Sequence, residues 1–176
     1  DGCNNAAADY KQGYTAMGHA LAASGRDIVY SCSWPAYLGS DETTKPFADM
    51  IAANCNLWRN WDDIQCSWDS LSGIIDHWGD WTVSLQKVAG PTHWNDPDML
   101  LIGANRSGTQ HPCLSDEEER TQMAIWSIVA APLIMGNDAR HIKPSSRAVL
   151  LNAAAIAVFI GRPYTWVDGT TARLMW

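Results

Sequence analysis

The chain has 176 residues, which sets the expectation at one domain or part of a larger one. Hydrophobic residues make up 47% of it, enough to bury a core, yet no run of eighteen apolar residues occurs and no membrane span is expected. A formal net charge of −7 argues against nucleic acid as a partner, since phosphate contacts want clustered Lys and Arg, and agrees with a neutral substrate and an acidic compartment.

The chain begins at Asp1 without a start methionine and reads as a fragment, so a missing leader carries no information about secretion. Tyr10, Tyr14, Met17 and Leu21 recur at helical spacing over 9–24, and Gly25 stops them. The apolar run Ile28-Val29-Tyr30 reads as a buried strand, extending to Trp34. Pro46 starts a short helix with Phe47, Met50 and Ile51 on one face. Cys55–Trp61 is the next strand. Ser67 can cap a helix whose inner face is Trp68, Leu71, Ile75 and Trp78. The amphipathic piece Val83–Val88 has no clear assignment, and a strand follows over His93–Ile102. After a polar loop, Ser115 and Glu118 make a capping box before a helix from Glu117 to Ala131. Pro132–Met135 reads as a short strand, and Pro144 opens a helix ending near Asn152. An apolar run covers Ala153–Ile160, and Asp168-Gly169 reads as a hairpin turn between Tyr164–Val167 and Thr171–Trp176.

Strand and helix alternating every 25–40 residues, roughly, imply a parallel sheet with helical crossovers: half of a (β/α)8 barrel or an open doubly wound sheet. No GxGxxG follows a strand, which lowers the dinucleotide-binding option. In a barrel, catalytic residues sit where strands run out into loops. The exits carry Asp1; Ser33 and Tyr37; Arg59, Asp62 and Asp63; Asn95, Asp96 and Asp98; and Asn137 with Asp138. Acids gathered on one rim repel unless a metal, a shared proton or glycoside chemistry uses them. His19, His77, His93, His111 and His141 show no HxH or HExxH spacing, so no metal is expected. A carboxylate pair is what a glycosidase needs, one group working at the anomeric carbon and one protonating the leaving oxygen. Each acid taken singly is equally well an N-cap or a surface charge. Ten tryptophans are heavy for this length; most suit a core, and the rest suit indole stacking on a sugar ring. Asn105-Arg106-Ser107 is a glycosylation sequon in a polar loop. The five cysteines form no CxxC or zinc pattern, and Cys32 and Cys55, each at a strand edge, would tie adjacent strands if paired.

Five ordered motifs now make a specific pattern: DGC at 1–3, YSCSWPAY at 30–37, CNLWRNWDDI at 55–64, WNDPDMLLIG at 94–103 and APLIMGNDAR at 131–140. Over about 1–156 the chain resembles glycoside hydrolase family 27, the family of lysosomal α-galactosidase and α-N-acetylgalactosaminidase. The resemblance implies the C-terminal half of a (β/α)8 TIM barrel over 1–156, from about the exit of strand four to strand eight and its helix. It leaves 157–176 as a tail whose candidate role is the start of an antiparallel β domain. It implies Asp1 as nucleophile and Asp63 as acid/base of a retaining exo-glycosidase acting by double displacement, with Arg59 and Asp98 near the sugar's 2-position and Met99 as wall. Ser33 and Ala36 stand where α-galactosidases carry a Glu and a Leu, so the smaller pair would admit an acetamide, with Tyr37 lining the same wall. The implied substrates are glycolipid or glycoprotein glycans ending in α-linked N-acetylgalactosamine or α-galactose. No cofactor is implied; a lysosomal or secreted homodimer is. Cys32–Cys55 matches a family disulfide, the family partner of Cys3 lies outside this chain, and Cys66 and Cys113 have no assignable family partner, so a pairing with each other stays open. The first half of the barrel is absent, so the 176 residues alone are expected to be inactive. The alternatives are an α-galactosidase, a non-catalytic sugar-binding remnant, or an unrelated α/β protein with chance rim acids.

Overall fold

The computed structural model describes Gly2, residues 4–159, and the pairs Tyr164–Thr165 and Thr171–Ala172. The chain divides into two compact units, one of Asp1–Asp62 with His77–Pro97, the other of Asp63–Asp76 with Asp98–Trp176.

The first unit holds a parallel three-stranded sheet in sequence order: β1 (Ser31–Cys32), β2 (Leu57–Arg59) and β3 (Trp94–Asp96). Leu57 lies opposite both Ser31 and Trp94, and Arg59 opposite Asp96. Between β1 and β2 runs α2 (Phe47–Ala52), as a parallel connection requires. Helix α1 (Tyr10–Ala23) precedes β1 and buries Tyr10, Tyr14 and Gly18, while Met17 is exposed. Gly18 is obligatory by contact: a Cβ there would fall inside the carbonyl of Ala53. These aromatics pack with Trp34, Phe47, Met50 and Trp58 around the Cys32–Cys55 disulfide.

The expected strand over Ile28–Trp34 is much shorter than its apolar run, and that run is not buried. Val29 is 73% exposed. Ile28 and Val29 precede β1, whose Cys32 is fully buried, so the apolar run and the strand do not coincide. Tyr30 still keeps the ladder's direction: its N–H donates to Asn56 Oδ1 at 2.8 Å, and its carbonyl accepts from Asn56 N at 2.8 Å. Ile51, expected on the inner face of α2, is exposed as well.

Helix α3 (Trp68–Asp80) begins where Ser67 Oγ accepts the Ser70 N–H at 3.3 Å. Leu71, Ile74 and Trp78 are its buried apolar residues, so Ile74 replaces the expected Ile75, and Trp68 is exposed. The unassigned piece is helix α4 (Thr82–Val88).

In the second unit α5 (Asp116–Ile128) starts on the expected capping box: Ser115 Oγ accepts Glu118 N–H, and Glu118 Oε2 accepts Ser115 N–H at 2.7 Å. It packs against α6 (Pro144–Leu150) and α7 (Ala153–Phe159). Leu100, Leu101, Ile102, Met123 and Trp126 are buried there. The expected strand His93–Ile102 is broken after β3. Pro97 ends it and Asp98 has φ +88°, a region that glycine favours and Asp tolerates better than most residues. Beyond the break, Leu100 makes a parallel bridge with Met135, its N–H donating to Ile134 O at 2.8 Å; this bridge is all that is formed of the expected strand Pro132–Met135. A second disulfide joins Cys66 and Cys113. β4 (Tyr164–Thr165) pairs antiparallel with β5 (Thr171–Ala172), and the expected turn at Asp168-Gly169 lies outside the described residues.

Candidate active site

The stretch after β1 is a single 3-10 turn, Trp34–Leu38, closed by Ala36 N–H donating to Ser33 O at 3.2 Å. Residues three apart eclipse in such a turn, so Ser33 and Ala36 share one side of it. Pro35 supplies the fixed φ that starts the turn, and Trp34 is buried, stacked on Tyr14 at 5.7 Å. Burial foremost, and the neighbouring Tyr37, push the Tyr14 hydroxyl well above its ordinary range. Ser33 and Ala36 are half-buried and Tyr37 is exposed. The Tyr37 ring lies 5.3 Å from that of Tyr10, and its hydroxyl accepts the Gly2 N–H at 3.4 Å. Asp1 lies outside the described residues, as does Cys3, so the structure describes neither. Gly2 ties the backbone next to Asp1 to the Tyr37 side of the turn.

Arg59 ends β2 half-buried, and its Nη2 turns back to donate to Asp62 O at 2.8 Å and Trp61 O at 3.3 Å. The turn it closes is held from below through Asn60, which is fully buried. Asn60 Nδ2 donates to Asn95 Oδ1 at 3.0 Å and to Glu42 Oε2 at 3.4 Å, and Asn60 Oδ1 accepts Asp96 N–H at 3.1 Å. Its carbonyl accepts Lys45 Nζ in a short bond. Glu42 Oε1 receives Lys45 Nζ at 2.7 Å and His77 Nε2 at 2.8 Å, and the His77 ring stacks on Trp61 at 4.4 Å. The Glu42 and Lys45 side chains are wholly buried. Burial pushes the Lys45 ammonium below its ordinary range, and the hydrogen bond and charge of Glu42 act against that.

Asp63, Asp98 and Met99 belong to the second unit. Asp63 is exposed on the segment that follows β2. The structure brings that segment and Asp98 together: Asp98 Oδ2 accepts Ile64 N–H at 2.9 Å, and Oδ1 accepts Met99 N–H at 2.7 Å. Both oxygens of Asp98 thus hold backbone. Met99 lies over Gly136, where a Cβ would run into its thioether. Farther on, the segment is carried by one face of α5. Trp126 Nε1 donates to Asp98 O at 2.7 Å; Gln122 bonds Met99 O at 3.2 Å and Leu101 N–H at 2.8 Å; Glu119 accepts Gly103 N–H at 3.0 Å. Asn105 is exposed beside its antiparallel bridge with Pro112, accessible as a sequon needs to be.

Sequence reasoning missed both supports. It passed over Glu42, Lys45 and Asn60, weighed His77 only as a metal ligand and Asn95 only as a strand-exit residue, and read no polar support on α5. For α5 a signal existed: Glu119, Gln122 and Trp126 recur at helical spacing with core residues between them. Glu42 and Lys45 are three apart, but no local pattern could pair Glu42 with His77, 35 residues on. Among the described residues no cluster of His, Cys, Asp and Glu is arranged to hold a metal, and no helix is long and apolar enough to cross a membrane.

The family described as Alpha galactosidase A matches residues 1–160. An alpha-N-acetylgalactosaminidase of Gallus gallus is 48% identical over 158 residues, covering 90% of this chain and 37% of its own length. The alpha-galactosidase A of Homo sapiens is 44% identical over 163 residues, covering 90% of this chain and 35% of its own. The crystal structure of a GH27 β-L-arabinopyranosidase from Geobacillus stearothermophilus superposes with a TM-score of 0.71 at 26% identity, covering 90% of this chain and 37% of that one. The chain therefore spans little more than a third of the length of the relatives it matches.

Proposed function

The chain belongs to the Alpha galactosidase A family, and we propose from that premise that it is the C-terminal half of a (β/α)8 barrel in a retaining exo-glycosidase that removes terminal α-linked N-acetylgalactosamine from glycoconjugates. Residues 1–156 form the partial barrel in this reading, and 157–176 lead into the C-terminal β domain. Asp1 is the nucleophile, its carboxylate oxygen bonding to the anomeric carbon as the bond to the leaving oxygen breaks. Asp63 gives its proton to that oxygen. Water then attacks the same carbon, Asp63 takes the water's proton, and Asp1 is released. This order needs Asp63 protonated at the start, so activity favours mildly acidic pH. Arg59 and Asp98 bind near the sugar's 2-position, with Met99 and Tyr37 as walls. The activity resides in a protein of the relatives' length, a lysosomal or secreted homodimer, and the 176 residues alone are inactive.

The observation that carries the choice of sugar is the turn after β1. Ser33 and Ala36 stand three residues apart in one turn, joined by Ala36 N–H to Ser33 O at 3.2 Å, so two small side chains stand together at the exit of β1. Ser33 hydrogen-bonds the acetamide carbonyl and Ala36 leaves room for its methyl. A pocket built for an acetamide rejects a smaller hydroxyl weakly, so some α-galactosidase activity accompanies the main one. The second reading, an α-galactosidase, is favoured by the 44% identity to the human enzyme of that name.

The test is hydrolysis of nitrophenyl α-N-acetylgalactosaminide and nitrophenyl α-galactoside at mildly acidic pH, with Asp63→Asn as control. Stronger cleavage of the acetamido sugar, lost in the variant, supports the whole reading. Cleavage of galactoside alone keeps the mechanism and reverses the specificity. No cleavage of either indicates a non-catalytic, sugar-binding descendant.

A further inference from the structure

We propose that Glu42, with Lys45 and His77, is a positioning device for the Arg59–Asp62 turn and, through it, for the chain entering Asp63. The inference rests on the proposed glycosidase reading for its catalytic consequence, but its geometry is independent of the sugar. Four observations carry it. The Glu42 and Lys45 side chains have no solvent exposure, so their charges are held without water. Both converge on Asn60, the residue after Arg59: Lys45 takes its carbonyl, and Glu42 its amide. Asn60 in turn bonds the backbone of Asp96 and the side chain of Asn95, and Asn95 also accepts Trp58 Nε1 at 2.8 Å and donates to Leu85 O at 2.8 Å. His77 reaches Glu42 with Nε2 and lays its ring against Trp61. His77 Nε2 and Glu42 Oε1 share this bond at 2.8 Å.

The arrangement is an expensive way to make a turn. Two ions have been stripped of water, and that cost is met only while every partner is in place. A turn of two or three backbone bonds would suffice for folding. What the cluster adds is a single geometry for Arg59, whose guanidinium folds back on Trp61 and Asp62 just before the proposed acid/base. Reacting groups misplaced by an ångström lose up to about a hundredfold in rate.

The test uses a form of the protein as long as its relatives and two variants. Glu42→Gln keeps the shape and removes the charge. The triple variant Glu42→Leu, Lys45→Met, His77→Phe removes both ions and keeps an aromatic ring against Trp61, so no buried charge is left uncompensated and stability is regained. The expected result is that amides in peptides covering 57–63 and 94–97 exchange faster in both variants, with the rest of the chain unchanged, and that kcat/KM falls ~10-fold in both although the triple variant melts like wild type. A purely structural role predicts the opposite, that activity returns with stability. Wild-type exchange over 57–63, or full kcat/KM in the triple variant, overturns the proposal. A wild type inactive on both sugars overturns the proposed function instead, and the exchange measurement, which needs no turnover, still decides the positioning role.

Discussion

In the first unit the turn beyond β2 hangs from buried ions, whereas in the second the segment from Asp98 to Gly103 hangs from the side of one helix. The ionic support is a closed network around Asn60, in which Glu42, Lys45 and His77 satisfy one another. The helical support is a series. Trp126, Gln122 and Glu119 take successive backbone groups as the segment runs antiparallel to α5. It contains one carboxylate, Glu119, which also accepts Ser146 Oγ at 2.6 Å, and whose cation Lys143, at 3.4 Å, is a third exposed. A network whose members share partners fails together, while a row of separate bonds fails one at a time. The first suits a turn needing one geometry; the second suits a segment that a helix must merely carry.

Changes to the two supports should separate them. Glu42→Ala leaves the buried Lys45 uncompensated and should cost ~3–5 kcal/mol in urea unfolding, with loss far beyond the deleted contacts. Losing either disulfide should cost several kcal/mol, and Cys66–Cys113, closing 47 residues against 23 for Cys32–Cys55, should be worth ~0.6 kcal/mol more on the loop-entropy account. Equal losses in Cys→Ser pairs would remove chain entropy as the explanation. Gln122→Leu strands the Leu101 N–H and the Met99 carbonyl but disturbs no network, so ~1–3 kcal/mol is expected. If it cost as much as Glu42→Ala, the contrast between closed network and series would be wrong. Ser115→Ala, which removes one cap of α5, should cost ~1 kcal/mol by thermal melting.

The smallest effect belongs to the surface. Arg140 foremost, then His141, hold the Asp138 carboxyl below its ordinary range, as Lys143 does for Asp116. A depressed carboxylate adds stability that is present above its unfolded value of 3.8 and is lost as pH falls from there through the folded value. Both are exposed and screened by solvent, so Arg140→Ala should lower Tm only slightly at pH 7, and its difference from wild type should vanish as melts are taken below about pH 4.

Much of the architecture was legible because it is local. The capping box at Ser115, the helix after Ser67 and the alternation of strands with helices follow from spacing alone, and the motif order over residues 1–156 pointed to the family that residues 1–160 match. The buried reading of Ile28-Val29-Tyr30 failed because hydrophobic runs report what a chain can bury, and here the strand and its buried Cys32 begin only after the run. The WNDPDM strand was overextended because Pro97 ends the ladder and Asp98 then adopts a backbone conformation no periodicity announces.

By itself, then, the sequence determined which residue types stand at the strand exits, where the helices start and which family the chain resembles, since each of these is written in neighbours along the chain. Only the tertiary structure decided that Asp98 holds the backbone after Asp63, that Cys66 pairs with Cys113, and that Glu42, Lys45 and His77 meet beneath Asn60. Those contacts join residues far apart in sequence, and a buried charge is tolerated only where folding has already brought its partner within hydrogen-bond reach.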